Sequence, residues 1–310
     1  MTNHNSNNSR HFGQPGRASD RRPAADPEEM RRWIEYLAGD IGPRPYSRPE
    51  VLKEVSGSLE EAFATLGYSV ERQPLSYKGH TYYNITGFPA ESSHASQDPI
   101  LVVGAHYDTV AFTPGADDNA SGIAGLIELA RILADRPPLG LRLVAFCLEE
   151  PPAFRTRNMG SYKYAKSLRK NRISVRGMIC LEMIGFFSDK PGSQAFPLFF
   201  MDRIYPDAGN FIALAGNMRS RTWTLEVKKH FASGTSLPVE SINAPAIVIG
   251  VDFSDHWSFN KFRYPAVMVT DTAFYRNPNY HRVTDTPETL DYVRAAKVVD
   301  GLANAVRNLA

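Results

Sequence analysis

The stretch "ILVVGAHYDTV", residues 100–110, decides how the rest of the chain is read. An apolar run with no polar alternation is a strand buried on both faces, as in a parallel sheet covered by helices. This one ends on His106, with Asp108 two positions further. A strand that leaves the core carrying an imidazole and a carboxylate delivers them to the carboxyl edge of the sheet, where α/β proteins gather their ligands. Residues two apart on a strand project to the same side. Asp108 is therefore expected to accept the second N–H of His106 and to fix its tautomer, which is what a metal-binding histidine requires.

The pattern around this stretch supports the same architecture. "SGIAGLIELARILADR" reads as a helix, "LRLVAFCL" as a strand, "MGSYKYAKSLRK" as a helix and "VRGMICLEMIG" as a strand. "AIVIGV" and "PAVMVT" are expected strands, and "PETLDYVRAAKVVDGLANAVRNL" a closing helix. Before residue 100 lie two helical segments, "PEEMRRWIEYLAGDI" and "RPEVLKEVSGSLEEAFATLGY". A hairpin follows, "YSVERQPLSY" and "TYYNITGF", turning at Lys78-Gly79. Strands alternating with helices imply an α/β fold of three layers, αβα, with a central mixed, mostly parallel sheet. Residues 1–26 are poor in apolar side chains and read as a disordered tail, leaving 27–310 as a single domain. Residues 186–240 carry no clear period and read as a less regular excursion.

Composition narrows the function. The chain has 310 residues, 43% apolar and 22% charged, with a net charge of +2. That is enough for a large core and lacks the concentrated basic face of a nucleic-acid binder. The short basic run "SLRKNR", 167–172, reads as a solvated helix end. Cys147 and Cys180 each sit in an apolar run and read as buried thiols. No membrane span and no signal-peptide core is visible, so a cytoplasmic enzyme is expected.

Other strands end as the first does. "PGADDNASG" brings Asp117 and Asp118, "LRLVAFCL" runs into Glu149-Glu150, "VRGMIC" into Glu182, and "NPNYHRVTDTPE" carries His281. Singly, each has a plain alternative as a turn or cap residue. Together they place acids and imidazoles along one edge, which is costly unless a cation neutralises them. Mixed His and carboxylate ligands suit zinc and, less exclusively, manganese, iron or cobalt.

The pieces "HYDT", "GADDNASG", "EE" after a strand, "LEMIG", "SDHWSF" and "YHRVTDTPE" fall in one recognisable order. In these the chain resembles the M28 family of zinc aminopeptidases, over about residues 27–310. The resemblance implies the zinc-exopeptidase fold and two Zn2+ ions, with peptides or small amides as substrates. Its implied metal ligands are His106, Asp118 as the bridge, Glu150, Glu182 and His281, with Asp117 the fallback for Asp118. Which ion each ligand serves stays open. The resemblance also implies Glu149 as general base and Asp108 in support of His106. Tyr280 is either a hydrogen-bond donor to the developing oxyanion or an aromatic wall. His256 in "SDHWSF" is expected to support the pocket with Asp255 as its partner, and His4, His11, His80, His94 and His230 to lie outside the site. The aromatic residues near 195–205 and 253–262 are candidate pocket walls.

Two departures stand out. Many aminopeptidases of the family carry Asp where this chain has Glu182, and "PP" after Glu150 stiffens the rim. The resemblance leaves three rivals: a glutaminyl-cyclase-like enzyme with one zinc, a carboxypeptidase, dipeptidase or other amide hydrolase of related fold, and a non-catalytic binding module. Intact ligands weigh against the module. Nothing in the sequence indicates a nucleic-acid or membrane partner, and oligomeric state is not readable.

Overall fold

Seven residues of the deciding stretch, Ile100–His106, form a strand in which every side chain is buried. A computed structural model describes residues 23–92 and 98–310. The strands are β1 (Tyr68–Tyr77), β2 (His80–Pro89), β3 (Ile100–His106), β4 (Leu141–Phe146), β5 (Val175–Glu182), β6 (Ile212–Gly216), β7 (Val239–Asn243) and β8 (Ala266–Thr270). They form one sheet in the order β1-β2-β4-β3-β5-β8-β6-β7. Four neighbouring pairs are parallel and three antiparallel, as expected of a mixed, mostly parallel sheet.

The helices are α1 (Pro27–Ile34), α2 (Pro49–Thr65), α3 (Gly122–Leu133), α4 (Gly160–Lys170), α5 (Arg221–Ala232), α6 (His256–Lys261) and α7 (Tyr292–Leu309). One face of the sheet is covered by a core that includes Phe63, Leu126, Phe231 and Leu302. The other is covered by a smaller core around Phe146, Leu168 and Phe259. Each such side chain contributes roughly 1.5–3 kcal/mol by leaving water. Helices on both faces explain why β3 shows no polar alternation.

Local chemistry sets the boundaries. Asp26 caps α1, its carboxylate accepting from the N–H of Glu28, and Pro27 opens the helix. Asp291 caps α7 through the N–H of Arg294. Of the expected tail, residues 1–22, with His4 and His11, lie outside the described residues, as does His94. Both cysteines are buried and free.

Three expectations need correction. "AIVIGV" is no strand: residues 246–250 form turns, and Ile247 is 87% exposed. The edge strand is instead β7, just before it. The irregular excursion also holds β6 and α5, which the sequence did not announce. His80, read from the sequence as lying in a polar loop with His94, instead opens β2.

The chain leaves β3 for β4 on one side and later returns to β5 on the other. That divergence opens a crevice at the carboxyl ends of the three strands.

Candidate metal centre

Each candidate side chain stands at the end of a strand or in the loop that follows it. His106 ends β3 and Glu182 ends β5. Glu149 and Glu150 follow β4, where Leu148 turns the chain with φ of 63°. Asp118 lies in the tight turn Ala116–Ser121, before α3. Gly115 enters that turn with φ of 66°, and a Cβ there would collide with the Asp118 carbonyl oxygen, so only glycine fits. His281 comes from the loop between β8 and α7, with φ of 55°.

These six side chains converge into three overlapping sets: His106 with Glu149 and Glu150, His106 with Asp118 and Glu182, and Asp118 with Glu150 and His281. The last two share Asp118. His106 Nε2 lies 3.4 Å from Asp118 Oδ1 and 3.3 Å from Glu182 Oε2. His281 Nε2 lies 3.1 Å from Asp118 Oδ2 and 3.6 Å from Glu150 Oε1. The two oxygens of Asp118 thus face two different histidines. Glu149 Oε2 is 3.9 Å from His106 Nε2. His106 is wholly enclosed, whereas the His281 side chain is 31% exposed.

The donor chemistry suits cations. His106 Nε2, Asp118 Oδ1, Glu149 Oε1 and Glu150 Oε1 are buried without a hydrogen-bond partner. Four carboxylates and two imidazoles share this space, and unpaired buried charge is costly. Burial and the nearby Asp118 push Glu150 up to about 7. Burial raises Glu149 well above the carboxylate range against the pull of His106. Burial would lower His281, but Asp118 and Glu150 outweigh it and raise it to about 10. Burial would raise Asp118, but the two imidazoles hold it down.

A second layer fixes these groups. His106 Nδ1 is 3.0 Å from the main-chain carbonyl of Asp108 and 3.7 Å from its carboxylate. The expected carboxylate contact is therefore replaced by a carbonyl one, which fixes the same tautomer. The carboxylate of Asp108 instead accepts the N–H groups of Glu149 and Glu150, each at 3.1 Å. Ser254 donates its hydroxyl to Glu182 Oε2 at 2.6 Å. Asp285 accepts from the N–H groups of Asp117 and Asp118. Arg44, fully buried, donates to the carbonyls of Leu37, Gly42, Tyr107, Pro114 and Gly115.

Asp117 points away from the centre. Its carboxylate accepts from Gly185 N–H at 2.9 Å and from Asn277 at 2.7 Å. His256 donates to the Val251 carbonyl at 2.8 Å, and no hydrogen bond joins it to Asp255. His230 lies in α5 and His80 in β2, away from the centre. Tyr280 stacks on His281 with ring centroids 3.8 Å apart. Ser254 and Asp285 went unassigned in the sequence although both lie inside quoted motifs, "SDHWSF" and "YHRVTDTPE".

A cleft opens beside the centre, beginning at Glu182 and Tyr280. Phe196, Tyr205 and Phe253 line it, whereas Phe259 belongs to the core. The aromatic stretches expected as walls thus divide between the two. No helix among the described residues is long and apolar enough to cross a membrane.

The model of peptidase family M28 matches residues 89–306. The Escherichia coli K12 protein titled "Uncharacterized protein YfbL" is 40% identical over 295 residues, covering 92% of this chain and 88% of that one. Among solved structures, BSAP, a zinc aminopeptidase from Bacillus subtilis, matches with a TM-score of 0.71 at 15% identity. It covers 93% of this chain and 96% of that one. The glutaminyl cyclase of Bacteroides thetaiotaomicron gives 0.68 at 18% identity, over 93% and 99%. At such identities these two structures share the fold.

Proposed function

The chain belongs to peptidase family M28, and from that premise we propose that it is a two-zinc aminopeptidase removing N-terminal residues from peptides. The observation that carries this reading is Asp118, whose two oxygens face His106 and His281 separately. In this reading one ion is held by His106, Glu182 and Asp118, the other by His281, Glu150 and Asp118. Residues 27–310 are taken as one peptidase domain.

Two bound cations supply Lewis acidity toward the scissile carbonyl and the attacking water. The protein's own groups do the rest. Glu149 has a buried oxygen, Oε1, with no hydrogen-bond partner, and is proposed as general base. It takes a proton from water at that oxygen and returns it to the leaving amine. Burial favours the protonated carboxyl and so the return step. The Asp108 carboxylate holds the backbone of both glutamates, so the base and its neighbouring ligand keep one spacing. The Tyr280 phenol is raised by burial and stays protonated. It is proposed to donate to the developing oxyanion while its ring walls the cleft.

The test is metal content together with amino-acid release from unblocked and N-acetylated peptides. About two ions per chain, with cleavage of unblocked peptides only, is expected. Glu149→Gln should keep the metal and lose turnover by about 10²–10⁴-fold. One ion per chain, with ring closure of N-terminal glutamine and no peptide cleavage, would replace this reading by the cyclase. Absence of metal binding would leave the non-catalytic module.

A further inference from the structure

The cleft that starts at Glu182 continues across four strands. Glu182 on β5 stands opposite Thr270 on β8, Thr270 opposite Ala213 on β6, and Ala213 opposite Glu240 on β7. Cross-strand partners project to the same face, and all four line the cleft. The next row repeats the arrangement with Met268, Ala215 and Ile242. The floor is therefore a strip of sheet, kept open by the small side chains of Ala213 and Ala215. With neighbouring strands about 4.8 Å apart, three steps separate the Glu182 and Glu240 backbones by ~14 Å.

Charge is distributed unevenly along this strip. Among the described residues lining the cleft, the only charged ones are Glu182 at the metal-centre end and Glu240 at the sheet edge. Aromatic side chains, including Phe196, Tyr205 and Phe253, line the same cleft. A substrate that matches has a cation at each end and an aliphatic stem between them. Among common amino acids, an N-terminal arginine separates its α-ammonium from its side-chain cation furthest, and lysine comes next.

We propose that this cleft selects peptides with an N-terminal arginine or lysine, Glu240 receiving the side-chain cation. The proposal rests on the aminopeptidase reading above. The α-ammonium then lies among the carboxylates of the metal centre, and the stem lies over Ala213 and Ala215. Glu240 already attracts a cation: its Oε2 is 3.6 Å from Lys228 Nζ, with both side chains about one-third exposed. A pair so exposed is held weakly. A guanidinium replaces it with two parallel charge-assisted hydrogen bonds and gains the aromatic faces nearby. Lys228 stands on α5, outside the cleft, and returns to water when displaced.

The experiment measures kcat/KM for unblocked tripeptides differing only in the first residue: arginine, lysine, norleucine, leucine, phenylalanine and alanine. Arginine is expected to exceed norleucine and leucine by about tenfold, a preference that shrinks as salt is added. Glu240→Gln should cut the arginine-to-leucine ratio by a similar factor, and Lys228→Met should raise it. Leucine or phenylalanine ahead of arginine overturns the proposal. So does norleucine equal to arginine, or a ratio unmoved by Glu240→Gln. Failure to release any first residue from a metal-loaded protein overturns the aminopeptidase reading instead.

Discussion

His106 addresses Asp108 through its main chain: Nδ1 lies 3.0 Å from the carbonyl and 3.7 Å from the carboxylate. The carboxylate is thereby free to hold the N–H groups of Glu149 and Glu150. Asp108→Asn should leave the histidine tautomer untouched but place an amide donor against one of those N–H groups. Groups behind metal ligands cost about 10–100-fold when altered. We expect kcat/KM to fall by that factor, with a smaller loss of metal affinity. An equal loss of both would mean that the histidine had moved after all.

The ligand sets predict unequal metal losses. Glu182→Gln should weaken the position beside His106, and Glu150→Gln the position beside His281, each variant retaining about one ion. Asp118→Asn should weaken both. Metal analysis after dialysis against a mild chelator reads this directly. If Glu150→Gln and Glu182→Gln both lost all metal, the two sets would act as one site.

Stripped of metal, the protein should become less stable as pH rises. Folded Glu150 titrates at about 7 and Asp285 at about 8, each raised first by burial. His281, raised to about 10 by its carboxylate neighbours against burial, also binds its proton more tightly when folded. In all three the folded state holds more protons than the unfolded one, so stability falls with pH. For the acids the loss runs from about pH 4 to 8, and for His281 from about 6.5 to 10. Bound cations would replace the protons on Glu150 and His281, so zinc should raise the Tm more at pH 8 than at pH 5. Thermal melts with and without chelator at the two pH values decide the point.

Arg44→Met should be the most damaging change away from the cleft. It removes the donor shared by five carbonyls in a fully buried position. Each buried acceptor left unpaired costs about 1–3 kcal/mol, which urea unfolding would register. Arg44→Lys should not rescue it, because an ammonium cannot reproduce the spread of a guanidinium. A wild-type midpoint for either variant would show that the carbonyls find other donors.

How much of this was legible depended on where the signal lay. His106 and Glu182 end buried strands, so an abrupt change from apolar to polar marked them. The carboxylate role of Asp108 was misjudged because β3 ends at His106, and two-residue alternation does not survive the strand's end. Ser254 and Asp285 act on partners 72 and 167 residues away, a relation that no local pattern carries. "AIVIG" looked like a strand because its composition is β-like, yet Ile249 lines the cleft and Ile247 faces water. β6 was missed for the converse reason, since the small residues of "IALAG" that open the cleft floor weaken its strand signature.

The loop position of His281 also orders events in time. It follows every strand of the sheet along the chain. While the polypeptide is being made, the acids near Asp118 emerge early and wait without their last imidazole. The proposed second zinc position is completed only when the sheet is already closed. A nascent chain therefore cannot complete the proposed second zinc position until every strand of the sheet has been made.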